Sequence, residues 1–416
     1  MKQQLRFIIR HLKNYLARTK KKREFIRLCK QLPLDDHLLL FESFQGRSFS
    51  DSPKAIYLRM LSDPDYDNYR FVISLREPQK AEDEGLLNER TTLVEAKSDL
   101  YYHLLAQAKY VISNSIFDLA FKKRAGQFYI QTWHGTPLKH IGWDIKTKGN
   151  NVLNRSYQIR EMYRQDAVRY DLVTSPSYYF TEKFSSAFAL KKWGKTGTIV
   201  QTGYPKNDLL LSHTPDDIER IRQKYNIAND KTVILYAPTW REDKHTLTRG
   251  YEFDLHLDPT RLREQFGNDY VFIFKMHQFV SDYLSIDSTD DDRQTTQATI
   301  LDLSHTSDIR ELFLISDALI TDYSSVLFDY ALLERPILYY LYDLEKYETQ
   351  TRGLYLDPHY LPGPILHNEA ECVQALKDLN TIKTTYAATM REFNWIYNYL
   401  EDGNSAKRTI EALLRL

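Results

Sequence analysis

Four strand ends in this 416-residue chain carry side chains suited to phosphate chemistry. The run Gln131-Thr132-Trp133-His134-Gly135-Thr136-Pro137-Leu138-Lys139 begins with strand character and breaks at a glycine and a proline. Ligands of open α/β sheets gather beyond the carboxyl ends of strands, so His134 stands where a substrate would be met. An imidazole that titrates near neutrality can take a proton from an attacking hydroxyl. Gly135 permits close approach of the backbone, and the turn can direct amides at a phosphate. A histidine held in a loop by a hydrogen bond is the alternative for a lone residue, and it loses weight because comparable strand ends recur.

Val271-Phe272-Ile273-Phe274-Lys275-Met276-His277 is the second such end. Strand alternation places Lys275 and His277 on one face and Met276 on the other, so a cation and an imidazole are aimed together. That pairing suits a pyrophosphate whose negative charge grows as its bridge breaks. A lysine closing the strand and a histidine in the loop is the plainer reading. The third end, Ala318-Leu319-Ile320-Thr321-Asp322-Tyr323-Ser324-Ser325-Val326-Leu327-Phe328-Asp329, reads as strand, tight turn and helix. Ser324 or Ser325 can cap that helix, leaving free amides for phosphate oxygens, although capping alone would also select serine. Asp329 follows one helical turn later and is expected to face the same crevice, where it could hold a sugar hydroxyl. In the fourth end, Tyr236-Ala237-Pro238-Thr239-Trp240-Arg241, Pro238 and Thr239 could floor a nucleotide pocket, with Trp240 as a packing residue.

The elements that must carry these ends alternate. Apolar and β-branched runs separated by helical patterns are the mark of βαβ units around parallel sheets. Strands are expected at His37 to Phe44, Tyr69 to Leu75, Lys109 to Ser113, Gln127 to Thr132, Leu172 to Ser175 and Thr198 to Thr202. A second series follows at Thr232 to Ala237, Tyr270 to Lys275, Ala318 to Thr321 and Pro336 to Leu341, with a short strand near Ser304. The Gly-, Pro-, Asn- and Asp-containing stretch from Gly203 to Pro215 reads as the crossing between them. The expected division is an amphipathic basic helix over 1–30, α/β domains over 31–205 and 206–383, and a helical tail over 384–416. That tail would pack across the junction through Trp395, Tyr397 and Tyr399. Ser281 to Thr299, with its acidic run Asp290 to Asp292, reads as a surface loop.

Lysine plus arginine (56) equals aspartate plus glutamate (56), which argues against a surface built to grip nucleic acid. Cys29 and Cys372 match no metal spacing, and no P-loop, dinucleotide glycine fingerprint, paired zinc ligands or Gly-x-Ser-x-Gly elbow is present. No cofactor or metal is expected. No apolar run is long enough to span a bilayer. The first 23 residues nevertheless hold nine lysines and arginines and no acid, with Leu5, Ile8, Ile9, Leu12, Tyr15 and Leu16 at helical spacing and Lys20 to Arg23 as a tail. Such a helix either docks on its own domain or meets an anionic membrane surface, and the second is the expectation: a peripheral protein at the cytoplasmic face.

From Leu40-Phe41-Glu42-Ser43-Phe44 and Asp51-Ser52-Pro53-Lys54 to about Gly353, the chain resembles the CDP-glycerol glycerophosphotransferases that build teichoic acid backbones. Trp133 to Lys139 and Thr321 to Ser325 are the most specific parts of the likeness. The resemblance implies a GT-B-like fold, two Rossmann-like α/β domains facing a central cleft, with nucleotide on the second and acceptor on the first. It implies essential histidines at His134 and His277. Donor contacts fall at Gly135, Thr136, Pro137, Leu138, Pro238, Thr239, Ser324, Ser325 and Asp329, with Lys275 and Met276 beside them. Lys206, in Gly203-Tyr204-Pro205-Lys206-Asn207-Asp208, stands where the family leads one to expect arginine, and it keeps the charge without the bidentate fork. The implied reaction moves glycerol phosphate from a CDP-glycerol donor to a lipid-linked teichoic or capsular polymer acceptor, releasing CMP. A CDP-ribitol transferase, a GT-B glycosyltransferase using a sugar nucleotide and an inactive scaffold are the competing readings, and a homo-oligomer is left open.

Overall fold

The computed structural model describes residues 19–79, 86, 88–145, 156–239, 245–246, 250–251, 255–276, 299–304, 308–347 and 353–416. The first sheet contains β1 (Asp35–Glu42), β2 (Arg70–Leu75), β3 (Thr91–Glu95), β4 (Ala108–Ser113), β5 (Phe128–Gln131), β6 (Leu172–Thr174) and β7 (Ile199–Val200), in the order β3-β2-β1-β4-β5-β6-β7. The second contains β8 (Thr232–Ala237), then, after a small antiparallel hairpin of β9 (His245–Thr246) and β10 (Gly250–Tyr251), β11 (Tyr270–Phe274), β12 (Thr299–Asp302), β13 (Ala318–Thr321), β14 (Ile337–Tyr340) and β15 (Ile365–Leu366). Its order is β12-β11-β8-β13-β14-β15. Every pairing in both large sheets is parallel. Parallel sheets bury both faces, which is why their strands read as unbroken apolar runs. Two apolar clusters line the faces of the first sheet, and two more line the second.

Strand order reverses once in each sheet, between β1 and β4 and between β8 and β13. Connections leave such a reversal in opposite directions and open a crevice at the strand carboxyl ends. The residues just beyond these four strands, Ser43-Phe44, Asn114, Pro238-Thr239 and Asp322 to Ser325, therefore surround two facing crevices. Strands β3 and β15 were absent from the sequence expectation. Thr91–Glu95 is a sheet edge without a long apolar run, and Ile365–Leu366 is two residues long.

Both chain ends differ from expectation in physically simple ways. The helix containing Lys20 to Arg23 runs on to residue 31, close to the expected end at 30, and what differs is what it packs against. Phe25 is fully buried against Tyr102 and Phe121, with Leu28 and Leu32 beside it, so this part of the helix docks on the first domain. Lys21 pairs with Asp99 at 2.9 Å. Residues 1–18, including Leu5 to Leu16, lie outside the described residues. In the tail, helix Leu379–Tyr397 turns Met390, Phe393 and Tyr397 into the second domain's core. That spacing puts Trp395 on the opposite face, where it is 76 % exposed rather than a junction contact. Tyr399 receives the Tyr178 N–H at 3.0 Å. Helix Ser405–Leu414 then returns to the first domain, burying Ile410 and Leu413 against the cluster of Ile56, Tyr57 and Met60. The return passes so close to Gly203 (φ +82°) that a Cβ there would lie 2.1 Å from Ser405 Oγ.

Candidate active site

The His134 loop is built by a buried polar network behind it. Gln131, the last residue of β5, donates from Nε2 to Ser115 O at 3.0 Å and to Asp166, and its Oε1 receives the Trp133 N–H at 2.9 Å. Asp166 is itself held by Arg169 and the Tyr170 hydroxyl. These bonds hold Trp133 in the left-handed region at φ +51°, an unusual conformation for an aromatic residue, while its ring packs edge-on to Phe184 and Phe188. The reversal leaves His134 half-buried just beyond the end of β5, its ring 5.8 Å from that of Phe44. Asn114, just beyond β4, completes the support: its carbonyl meets His134 Nδ1 at 2.7 Å, and its side-chain Oδ1 receives the Phe44 N–H at 2.8 Å.

A carbonyl can only accept, so His134 Nδ1 carries the hydrogen and Nε2 keeps its lone pair. Burial pushes the His134 pKa below the ordinary imidazole value, against the opposing pull of the Asn114 carbonyl and of Asp51. The ring is therefore neutral near pH 7, the state a general base needs. Asn114 escaped the sequence reading although it follows a recognised strand, as the other site residues do.

From His134 the chain crosses to the second domain. Gly135 lies against Ser325 so closely that a Cβ would stand 2.4 Å from its Oγ. Thr136 is buried, the Pro137 carbonyl receives the Tyr179 hydroxyl at 3.0 Å, and Leu138 is inserted in the second domain's core with its carbonyl bonded to Tyr355 N–H. Of the expected donor contacts in this turn, the Leu138 side chain thus serves as an interdomain anchor.

A cleft of about 260 Å3 separates the walls. It is lined by Phe44, Arg47, Ser48, Ser50 and Asp51 on one side and by Ala237, Pro238, Lys275, Met276, Asp308, Arg310, Ser324 and Val326 on the other, with Lys206 and Asp329 between them. Lys275 donates to Ser304 O at 2.6 Å, and burial lowers its pKa to about 8. A diphosphate placed beside it would favour the charged form. Thr239 uses its N–H on Asp322 at 2.8 Å. His277 and Trp240 lie outside the described residues.

Two expectations change. Ser325 occupies the cap position of helix Val326–Tyr330 but makes no side-chain cap bond, because its backbone is helical (φ −67°, ψ −10°) rather than extended. Ser324 Oγ approaches Val326 N only at 3.5 Å, and the helix is five residues long, so the serines offer hydroxyls more than a helix dipole. Asp329 does face the cleft, but its carboxylate is taken by Lys206 Nζ at 2.5 Å and Asn207 Nδ2 at 3.2 Å. Lys206 also donates to the His134 carbonyl at 3.1 Å. Its charge ties the crossing segment to the second domain.

Facing doubly wound sheets with a cleft between their strand ends define a protein of the GT-B-like fold class. The family model described as CDP-Glycerol:Poly(glycerophosphate) glycerophosphotransferase matches residues 24–415, and the chain belongs to that family of enzymes. It is 36% identical over 410 residues to a teichoic acid poly(glycerol phosphate) polymerase of Staphylococcus epidermidis, covering 97% of this chain but 54% of that protein, about half its length. It is 36% identical to a teichoic acid glycerol-phosphate transferase of Staphylococcus aureus, covering 94% of this chain and 95% of that one. The solved structure of the wall teichoic acid polymerase TagF superposes with a TM-score of 0.83 at 33% identity, covering 100% of this chain and 98% of that chain. Identity falls to 24% for a teichoic acid poly(ribitol-phosphate) polymerase of Bacillus spizizenii.

Proposed function

We propose that the chain transfers glycerol phosphate from CDP-glycerol to a terminal hydroxyl of a lipid-linked teichoic or related polymer. The acceptor oxygen attacks the phosphorus bearing glycerol, the bond from that phosphorus to the bridging oxygen breaks, CMP leaves with the bridging oxygen, and the acceptor proton passes to His134 Nε2. The observation that carries this reading is His134 itself, neutral, with Nδ1 committed to the Asn114 carbonyl and its ring against Phe44 in the cleft wall, ring centres 5.8 Å apart. Across the cleft, Lys275 and Ser324 would hold the diphosphate, with His277 as their partner from the sequence. Phosphoryl transfer depends mainly on such positioning and charge stabilisation. Higher identity to glycerol-phosphate enzymes than to a ribitol-phosphate polymerase supports glycerol as the polyol. A variant of TagF has been soaked with CDPG. Incubation of the protein with CDP-glycerol, CDP-ribitol or a UDP-sugar and a short lipid-linked acceptor, followed by mass measurement, is expected to yield CMP and glycerol-phosphate additions with the first donor. Product from the ribitol donor or the sugar nucleotide alone would overturn the assignment.

The same reading places the enzyme at the cytoplasmic face of the membrane, beside its acceptor. Among the described residues no helix is long and apolar enough to cross a bilayer. The helix from residue 19 onward docks through Phe25 and leaves Lys20, Lys22 and Arg23 exposed, so the apolar stripe of a membrane contact would come from residues 1–18, whose five basic residues contribute on the order of 1 kcal/mol each near anionic lipid. Deleting residues 1–18 is expected to lower sedimentation with phosphatidylglycerol vesicles at least about tenfold and to spare activity on a soluble acceptor. Unchanged vesicle binding would move the contact to another surface.

A further inference from the structure

Three carboxylates line the cleft, and two of them are neutralised within the protein: Asp308 by Arg310 and Asp329 by Lys206. Asp51 is different. It lines the cleft and forms no ion pair among the described residues, and the Ser52 N–H bonds to its Oδ1 at 2.7 Å, which leaves Oδ2 without a hydrogen-bond partner among them. The residue is 8 % exposed and is held in the left-handed region at φ +65°, a conformation that aspartate adopts at a cost. It stands on the His134 side of the cleft, near enough to act electrostatically on that ring, and Lys275 belongs to the opposite wall.

A donor diphosphate beside Asp51 would meet a like charge, and a neutral hydroxyl would meet an acceptor with a free lone pair. The attacking alcohol must lie at His134 Nε2, so the group nearest Asp51 belongs to the same end of the acceptor. We propose that Asp51 recognises the acceptor by taking a hydrogen bond from the hydroxyl next to the attacking one, making the enzyme selective for a polymer end with vicinal hydroxyls. The inference rests on the transfer reaction proposed above and adds a specificity residue to it.

The test is a cycle of two acceptors and two enzymes. One acceptor ends in glycerol phosphate and the other in propane-1,3-diol phosphate, which lacks the secondary hydroxyl. The wild-type protein is expected to lose about 10- to 100-fold in kcat/KM on the deoxy acceptor, the size of a hydrogen bond to a charged group. Asp51→Gly accepts the positive φ without strain, so its loss on the natural acceptor reports the carboxylate. It should show no further loss on the deoxy acceptor, and Asp51→Asn, which retains an accepting oxygen, should recover part of the rate. Additive losses overturn the inference, as does coupling to a deoxy donor instead of the deoxy acceptor. Failure of the wild-type protein to release CMP from CDP-glycerol with the natural acceptor would instead bring down the transfer reaction itself.

Discussion

His134→Ala is expected to lower turnover by about 100- to 10,000-fold and to leave CDP-glycerol binding nearly unchanged, the range that a positioned general base usually contributes. The residue's support is independent of the donor: Asn114 orients the ring, and Gln131 with Trp133 shapes its loop. Removing the imidazole therefore leaves Lys275 and Ser324 in place. Single-turnover rates and donor affinity by calorimetry separate the two effects, and turnover near the wild-type level would remove His134 from the chemistry. The pH profile carries a second signature. Because burial lowers the His134 pKa, the base is neutral throughout the neutral range, and kcat/KM should fall only as pH drops below the ordinary imidazole range. An acidic limb at or above that range would mean that the ring is not held as described.

Lys206→Met is expected to be the most destabilising single change near the site, by about 3–5 kcal/mol, the cost typical of leaving one buried charge unpaired. The ammonium and the Asp329 carboxylate are 4 % and 7 % exposed and 2.5 Å apart. Met has similar length and apolar volume, so the loss is electrostatic more than steric. Burial already raises the Asp329 pKa, and Lys206 is the chief group that lowers it again. Without Lys206 the folded-state pKa rises further above its unfolded value. Protonation then favours the folded form, so the deficit of the variant should be largest above the raised folded pKa and should shrink as pH falls through it. Urea unfolding of Lys206→Met, Asp329→Asn and the double variant measures this directly. The double variant should recover more than half of the loss, and additive effects would show that the two groups do not act as a pair.

The local pattern of the chain was enough to place most of the sheets. Runs such as Leu38-Leu39-Leu40-Phe41 and Val271-Phe272-Ile273-Phe274 are apolar on both faces, a property tied to parallel strands covered on both sides, and the strand ends bearing His134, Lys275 and Ser324 followed from the same reading. The short edge strands at Thr91–Glu95 and Ile365–Leu366 lacked that signal. The family, too, was legible from contiguous motifs.

What only the tertiary structure decided is which groups face one another and in what charge state. Asp329 looked free to hold a hydroxyl until Lys206, 123 residues away, closed on it. Asn114 became a support for His134 only because β4 and β5 are neighbours in the sheet. Ser325 sits at a helix start, yet Gly135 from the other domain presses on it and its helical backbone denies it the cap bond. Asp51 emerged as the cleft carboxylate without an ion pair among the described residues only once the partners of Asp308 and Asp329 were known. The physical reason is common to all four. Periodicity and motif spacing report forces acting over a few residues along the chain, whereas the protonation and pairing of a buried polar group depend on its whole dielectric surroundings, and those are assembled from distant segments by folding.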